Sequence, residues 1–278
     1  LKHFDMENGG FGSAPKFPQA SILEFLMTRL DREENSQVTK MLDTQLTKMA
    51  MGGIFDHLGG GFARYSTDAE WQVTHFEKML YDQGQLLSLY ARAYSQRPNP
   101  LYRKTADHLA DYCLRVLQDK ATKAFYSAED ADSEGVEGKF YVWRKSEIKE
   151  ILGEVEGEWF STLYRVSHEG NWSDPIHDTA GLNILWLKSP LSSEEATRAA
   201  PLREKLLEIR EKRIRPLLDD KILCGWNALM ISGFSRASLA FSNPEYLKTA
   251  EAAAEFFYRS FKEKGRLTRR FKDGEWKE

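Results

Sequence analysis

The chain has 278 residues, of which 41% are hydrophobic and 29% are charged, and its formal net charge is −3. This composition is typical of a folded globular protein and argues against intrinsic disorder. A negative net charge gives no sign of the basic surface that nucleic-acid binding needs. No apolar run approaches the ~18 residues of a membrane-spanning helix. We therefore expect neither nucleic acid nor a membrane as a partner.

Cysteine usage indicates a reducing compartment. Cys113 and Cys224 lie far apart and form no C-x-x-C motif. Such sparse cysteines are typical of cytoplasmic proteins, so we expect a cytoplasmic location. The chain begins at Leu1 rather than at a methionine, and we therefore expect it to be a piece of a longer protein.

Apolar residues recur at helical spacing along most of the chain. Two sites carry Asn-Pro, an N-cap followed by a proline at the first helical position: Asn99-Pro100 and Asn243-Pro244. The predicted helices, in chain order, are 19–32, 36–51, one that starts at His75, one that starts at Pro100, a charged surface helix over 193–215, a buried helix over 226–241, and one that starts at Pro244.

Short segments between the helices have strand-like patterns. Residues 125–127 and 139–143 flank an acidic turn and predict a β-hairpin, and 265–276 predicts another with Asp273-Gly274 as its turn. Helix pairs joined by Gly-rich loops favour an all-α toroid of helical hairpins. A plain bundle or a solenoid is the alternative, although no fixed repeat period is visible.

The segment 52–82 is rich in glycine and titratable groups and leads directly into a predicted helix, an arrangement that often forms a functional site. His75 and Glu77 are candidate catalytic acid/base residues. Alternatively, Glu77 closes a capping box with Thr74. Asp82 is the third catalytic candidate, to hold a substrate hydroxyl or to pair with a nearby cation.

The loop before that helix carries the side chains typical of a sugar-binding site. Arg64, Tyr65, Asp68 and Trp71 combine aromatic rings with polar groups, which suits a sugar ring with one apolar face and a hydroxyl rim. Alternatively, the two aromatic residues simply fasten the loop to the core. His57 is the second histidine that we consider for substrate binding.

Asp130 and Asp132 belong to the acidic cluster of the first predicted hairpin. The cluster begins like a calcium loop, but position twelve is Tyr141, where a bidentate glutamate is required, so an EF-hand is excluded. Either these carboxylates reach a substrate pocket, or they form a solvated turn.

Trp226 and Asn227 begin the predicted buried helix, at the mouth of the same presumed face. They are candidates for substrate binding, with an ordinary core role as the alternative for Trp226. The sequence has no H-E-x-x-H motif and no phosphate-cradling glycine signature. We expect no metal and no cofactor.

Four motifs in the same order resemble a known family; they cover residues 4–18, 52–82, 125–143 and 219–232. The family joins a thioredoxin-like domain to a six-hairpin-glycosidase-like domain and includes spermatogenesis-associated protein 20 of animals. The resemblance implies a partial (α/α)6 toroid with short β-hairpins in its loops. It further implies that residues 1–278 form one toroid domain, incomplete at the C-terminus, whose partner in the full-length protein is a thioredoxin-like domain.

This architecture is shared with sugar 2-epimerases and several glycoside hydrolases, so the resemblance implies a central pocket and a sugar substrate but no particular reaction. Our leading hypothesis is a carbohydrate-active domain that acts as a sugar epimerase or isomerase by acid/base proton transfer. A glycoside hydrolase with paired carboxylates is one alternative. A non-catalytic module that binds ligands or clients is the other.

Overall fold

The structure is a computed structural model that describes residues 3–174 and 176–277. Its helices within that part of the chain are α1 Ala20–Leu30, α2 Ser36–Met51, α3 Leu80–Gln96, α4 Pro100–Tyr112, α5 Lys145–Leu152, α6 Glu154–Leu163, α7 Ser193–Arg210, α8 Cys224–Phe241 and α9 Pro244–Lys264. A π-helical turn, Cys113–Leu117, continues α4.

Three helical hairpins form the main body. They are α1 with α2, α3 with α4, and α8 with α9, and α3 packs between α1 and α8. The largest hydrophobic core lies among these helices and includes Leu46, Tyr90 and Phe234. This arrangement is an arc of a helical-hairpin toroid, which confirms the predicted fold class.

Two glycines allow α3 and α8 to approach each other closely. A Cβ atom built on Gly84 would lie 2.7 Å from the backbone nitrogen of Met230, and one on Gly233 would lie 2.7 Å from the carbonyl oxygen of Gly84. No larger residue fits either position without separating the helices.

Helices α5, α6 and α7, which lie between α4 and α8 in the chain, form a second core. Ile148, Phe160 and Leu206 are fully buried there. The sequence analysis did not predict α5 or α6. It treated the charged helix as a surface connector, but α7 ends at Arg210, whose side chain is buried. Residues 211–215 continue as a non-helical segment.

The strands are short and pair antiparallel. Those of the described residues are β1 Tyr65–Ser66, β2 Thr74–His75, β3 Lys78–Met79, β4 Ala128–Glu129, β5 Asp132–Ser133, β6 Val136–Glu137, β7 Trp143–Arg144, β8 Leu182–Asn183, β9 Leu218–Asp219, β10 Ile222–Leu223, β11 Arg270–Lys272 and β12 Glu275–Lys277. The sheets have the orders β1-β2, β3-β4-β9, β5-β6, β7-β8 and β10-β11-β12.

The hairpin predictions are partly confirmed. Asp273 and Gly274 both have positive φ and form the turn between β11 and β12, as expected. The predicted pairing of 125–127 with 139–143 is wrong, because β4 pairs with β3 and β9 while β7 pairs with β8. The acidic turn is a smaller hairpin of its own, β5 with β6.

The predicted start of the third helix is also wrong. His75 lies in β2 and the helix begins at Leu80. Phe76 and Met79 have helical spacing by coincidence; the ring of Phe76 stacks on Tyr141 instead. The capping box is therefore absent, and the hydroxyl of Thr74 donates to the carbonyl oxygen of Tyr65.

Candidate functional site

The segments that precede α3 and α8 meet at one end of the toroid. β3, which leads into α3, and β9, which precedes α8, flank β4 in one sheet. At this end Tyr81 of α3 contacts Trp226 of α8 edge to face, with ring centroids 4.9 Å apart. Helices α3 and α8 therefore present their first turns to one shared face.

A side-chain amide anchors the Gly-rich loop to α3. Gln83 is fully buried; it accepts a hydrogen bond from the backbone of Phe62 at 2.8 Å and donates one back at 2.7 Å. Two residues after Phe62, the backbone nitrogen of Arg64 donates to the carbonyl oxygen of Glu77. These bonds hold Arg64 beside the start of α3.

Arg64 is the centre of a polar cluster at this face. Its Nε donates to the hydroxyl oxygen of Tyr81 at 3.1 Å, and its terminal nitrogen pairs with Glu77 at 3.2 Å. The guanidinium is partly exposed, with 43% of its side-chain surface accessible. Tyr81 accepts this bond, and its own O–H lies close enough to Asp82 to donate a hydrogen bond that lowers the pKa of that carboxyl.

Asp82 lies in the first turn of α3, next to this cluster. Its Oδ2 atom is buried and has no hydrogen-bond partner in the described part of the chain. Burial raises the pKa of Asp82 to about 7, while the charge of Arg64 lowers it and that of Glu77 raises it further. Near neutral pH the Asp82 carboxyl is therefore protonated in some molecules and ionised in the others.

Together these residues can move protons and bind oxygen atoms. Asp82 can accept or donate a proton near neutral pH, and Arg64 and Tyr81 can donate hydrogen bonds to a developing negative charge. Trp226 is half-buried and adds an aromatic surface beside them. This arrangement suits a hydroxylated ligand with an apolar face.

His75 and Tyr65, two of the predicted site residues, contact each other. Their rings stack with centroids 4.9 Å apart, and His75 Nδ1 lies 2.8 Å from Glu137 Oε1. Tyr65 also packs against Phe17 on its other side. Both residues are half-buried, so they line the surface next to the cluster rather than its centre.

Three predicted binding residues are buried structural residues instead. The ring of Trp71 is fully buried and its Nε1 donates to the carbonyl oxygen of Asn8. The amide of Asn227 is buried and pairs with the backbone of Phe125. The Nε2 atom of His57 lies 3.1 and 3.0 Å from two carbonyl oxygens, and burial lowers the pKa of His57 to about 4.

Asp68 shapes its own loop. Its carboxylate accepts hydrogen bonds from the backbone nitrogens of Glu70, Gln72 and Val73. Because these bonds engage both oxygen atoms of the Asp68 carboxylate, Asp68 stabilises the loop rather than forming part of a binding surface. Asp130 and Asp132 are exposed on the acidic turn, which favours the solvated-turn interpretation.

Glu129, the neighbour of those aspartates, is instead fully buried. It pairs with Arg215 and accepts hydrogen bonds from Tyr112 at 3.1 Å and Tyr141 at 3.0 Å. An acidic run in a sequence gives no signal that one member is buried. The cationic and aromatic partners, far away in the chain, make that burial possible.

A buried ionic network lies behind the site, and the sequence analysis missed it. Arg210 donates two hydrogen bonds of 2.8 Å to Asp56, and Lys78 Nζ donates to the same carboxylate at 2.9 Å. Lys78 Nζ also lies 4.4 Å from the ring centroid of Tyr112. The charges of Arg210 and Lys78 hold the pKa of Asp56 well below its usual value, although burial alone would raise it.

The sequence analysis also missed Tyr81, although this residue belongs to the segment HFEKMLYD, residues 75–82.

Within the described residues no cluster of three or more His, Cys, Asp or Glu side chains has the arrangement of a metal site. No helix in the same part of the chain is long and apolar enough to cross a membrane.

Comparison with known proteins supports the resemblance found in the motifs. No family model matches the chain. Spermatogenesis-associated protein 20 of Mus musculus is 37% identical over 289 residues, and the match covers 92% of this chain. Nearly the whole length of this chain is therefore related to spermatogenesis-associated protein 20. It spans about a third of that relative, since the match covers 36% of it.

Solved structures show the fold. A family 76 glycoside hydrolase (mannosidase) of Bacteroides thetaiotaomicron superposes with a TM-score of 0.50 at 13% identity, covering 88% of this chain and 44% of the other. A cellobiose 2-epimerase of Bacillus thermoamylovorans is more distantly similar, with a TM-score of 0.42 at 13% identity over 99% of this chain and 88% of the other. The chain therefore shares the fold of the glycoside hydrolase, a toroid of helical hairpins.

Proposed function

We propose that this chain is a carbohydrate-active domain that transfers protons on an open-chain sugar, as a sugar isomerase or epimerase does. The observation that carries the proposal is Asp82, a half-buried carboxyl with a pKa of about 7, placed beside Arg64 and Tyr81. A general base that works near neutral pH needs a pKa in this range.

In the proposed reaction, ionised Asp82 removes the proton from the carbon next to the sugar carbonyl. Negative charge then develops on the carbonyl oxygen, where Arg64 and Tyr81 donate hydrogen bonds. Asp82 returns this proton to the neighbouring carbon, while the hydroxyl proton on the first carbon passes to the former carbonyl oxygen. The carbonyl has then moved by one carbon, and a single acid/base group has carried the proton between the two carbons. Epimerisation needs a second acid on the opposite face, and we assign that role to His75.

A glycoside hydrolase is the second candidate, and one observation favours it. Glu77 is a second carboxylate in the cluster: it pairs with Arg64, and its charge acts on Asp82. Protonated Asp82 would then act as the general acid and Glu77 as the base or nucleophile. The difference lies in the product, because a hydrolase releases a new reducing end and an isomerase does not.

The test is a panel of mono- and disaccharides incubated with the protein in deuterium oxide and followed by NMR. Proton transfer predicts deuterium at the carbon next to the carbonyl, and hydrolysis predicts new reducing ends instead. Asp82→Asn should lower either rate by about 10²-fold or more. Turnover that Asp82→Asn leaves unchanged would refute the role of Asp82, and binding without turnover would indicate a non-catalytic module.

We further propose, from the resemblance, that the full-length protein carries a thioredoxin-like domain and, from its sparse cysteines, that it is cytoplasmic. We also propose that residues 1–278 form one toroid domain, continued by further hairpins. Sequencing of the complete gene, together with cell fractionation and mass spectrometry, tests these three proposals.

A further inference from the structure

A cavity lies away from the Asp82 face, between α4 and α7. Its volume is about 300 Å³. Lys104 and His108 from α4, Arg203 from α7 and Tyr164 from the end of α6 line it. The Gly-rich loop contributes Phe55.

The charges around this cavity are unbalanced. No carboxylate lines it, and Lys104 and Arg203 form no ion pair within the described residues, whereas the nearby Arg103 and Arg198 pair with Asp107 and Glu156. Burial and the charge of Arg203 lower the pKa of Lys104 to about 8. The cavity therefore holds more positive charge than its surroundings neutralise.

A buried hydroxyl in the cavity wall lacks a hydrogen-bond partner. Tyr164 is fully buried, and its hydroxyl makes no hydrogen bond of good geometry within the described residues. Burial raises the pKa of Tyr164, and the charge of Arg203 together with the interaction of its guanidinium with the hydroxyl partly offsets that rise. Buried hydroxyls are normally paired, so this group is poised for a ligand oxygen.

The rest of the lining is apolar. Phe55, Leu101, Leu187 and Leu191 face the same space. The nearby helix caps are already satisfied: Asn99 accepts from Leu101, and Ser192 closes a capping box in α7. The binding groups of the cavity are therefore its side chains rather than the helix ends.

We propose that this cavity binds a small organic anion that carries one compact oxyanion, a phosphate or a carboxylate, on an apolar body. Arg203 and Lys104 bind the oxyanion, the Tyr164 hydroxyl donates a hydrogen bond to it, and the leucines cover the apolar body. The site is separate from the proposed sugar site, so Asp82→Asn should bind the same probes with unchanged affinity.

Isothermal titration of the full chain with four probes tests the proposal: phenyl phosphate, benzoate, inorganic phosphate and phenol. Phenyl phosphate or benzoate should bind more tightly than inorganic phosphate or phenol, because each combines both features. The tighter of the two identifies the oxyanion. Failure of both to bind at millimolar concentration would overturn the proposal.

Substitutions localise the binding. Arg203→Gln should weaken it by about tenfold or more, since a hydrogen bond to a charged group is lost. Lys205→Gln removes a charge from an exposed position of the same helix and should leave binding unchanged.

Tyr164→Phe separates binding from folding. It should weaken binding by about tenfold while the melting temperature changes little, because the hydroxyl makes no hydrogen bond of good geometry in the free protein. Binding that is unchanged in both Arg203→Gln and Tyr164→Phe would place the probe elsewhere and refute the site.

Discussion

Replacement of Asp82 by Asn should stabilise the protein at neutral pH while it abolishes activity. Burial raises the pKa of Asp82 from 3.8 to about 7. The folded chain therefore binds this proton more tightly than the unfolded chain does. The contribution of Asp82 to the free energy of unfolding is largest below about pH 4 and is lost as the pH rises to about 7.

The magnitude follows from the size of that shift. A difference of about three pH units corresponds to about 4 kcal/mol, at 1.36 kcal/mol for each unit. Asn carries no charge at any pH, so it escapes this loss. The unfolding free energy of Asp82→Asn should exceed that of the wild type by an amount that grows from near zero at about pH 4 to about 4 kcal/mol at about pH 8.

Urea denaturation of both proteins across this pH range measures the difference directly. Asp111→Asn is the matched control, because Asp111 is exposed and forms an ion pair only with Arg115 within α4 and its π-helical extension. That control should change stability by less than about 1 kcal/mol. A difference for Asp82→Asn that does not vary with pH would refute the assignment of a raised pKa.

Three further predictions concern Gly84, Lys78 and Glu77. Gly84→Ala should destabilise the protein by about 2 kcal/mol or more in urea denaturation, because its Cβ meets the backbone of α8; Gly225→Ala, where nothing lies within 4 Å, should be neutral or stabilising. Lys78→Met should cost about 1–3 kcal/mol in the same assay, since Asp56 and the carbonyl oxygen of Gly60 each lose a buried hydrogen-bond donor while Arg210 still pairs with Asp56. Glu77→Gln should lower the pKa of Asp82 in an NMR titration, because the charge of Glu77 raises that pKa. An unchanged titration curve would show that the two carboxyls do not interact.

Regular helices were predictable because their signals are local. Asn99 and Asn243 cap α4 and α9 as the Asn-Pro pairs indicate, and α2 has the predicted bounds. The start of α3 was not predictable, because Phe76 and Met79 imitate helical spacing while the strand partner of β3 is β4, which is distant in the chain. Strand pairing over such separations leaves no trace in a short window of sequence.

Part of the candidate site was also predictable. Arg64, Glu77 and Asp82 were identified from their residue types, and the structure places Arg64 beside Tyr81. The burial of His57 was not predictable, since it depends on carbonyl groups of the folded Gly-rich loop. Burial and hydrogen-bond partners are properties of the fold, so residue type alone cannot separate a binding side chain from a structural one.

The bond between Arg210 and Asp56 has a consequence for how the molecule opens. Asp56 belongs to the loop that enters the toroid, Arg210 ends a helix of the second core, and both side chains are buried. Separation of the two would leave charges in the interior without partners, so neither part can loosen alone at low cost. In hydrogen exchange, the amides of residues 52–62 and of α7 should open as one cooperative unit, and residues 113–223 should not behave as a detachable module.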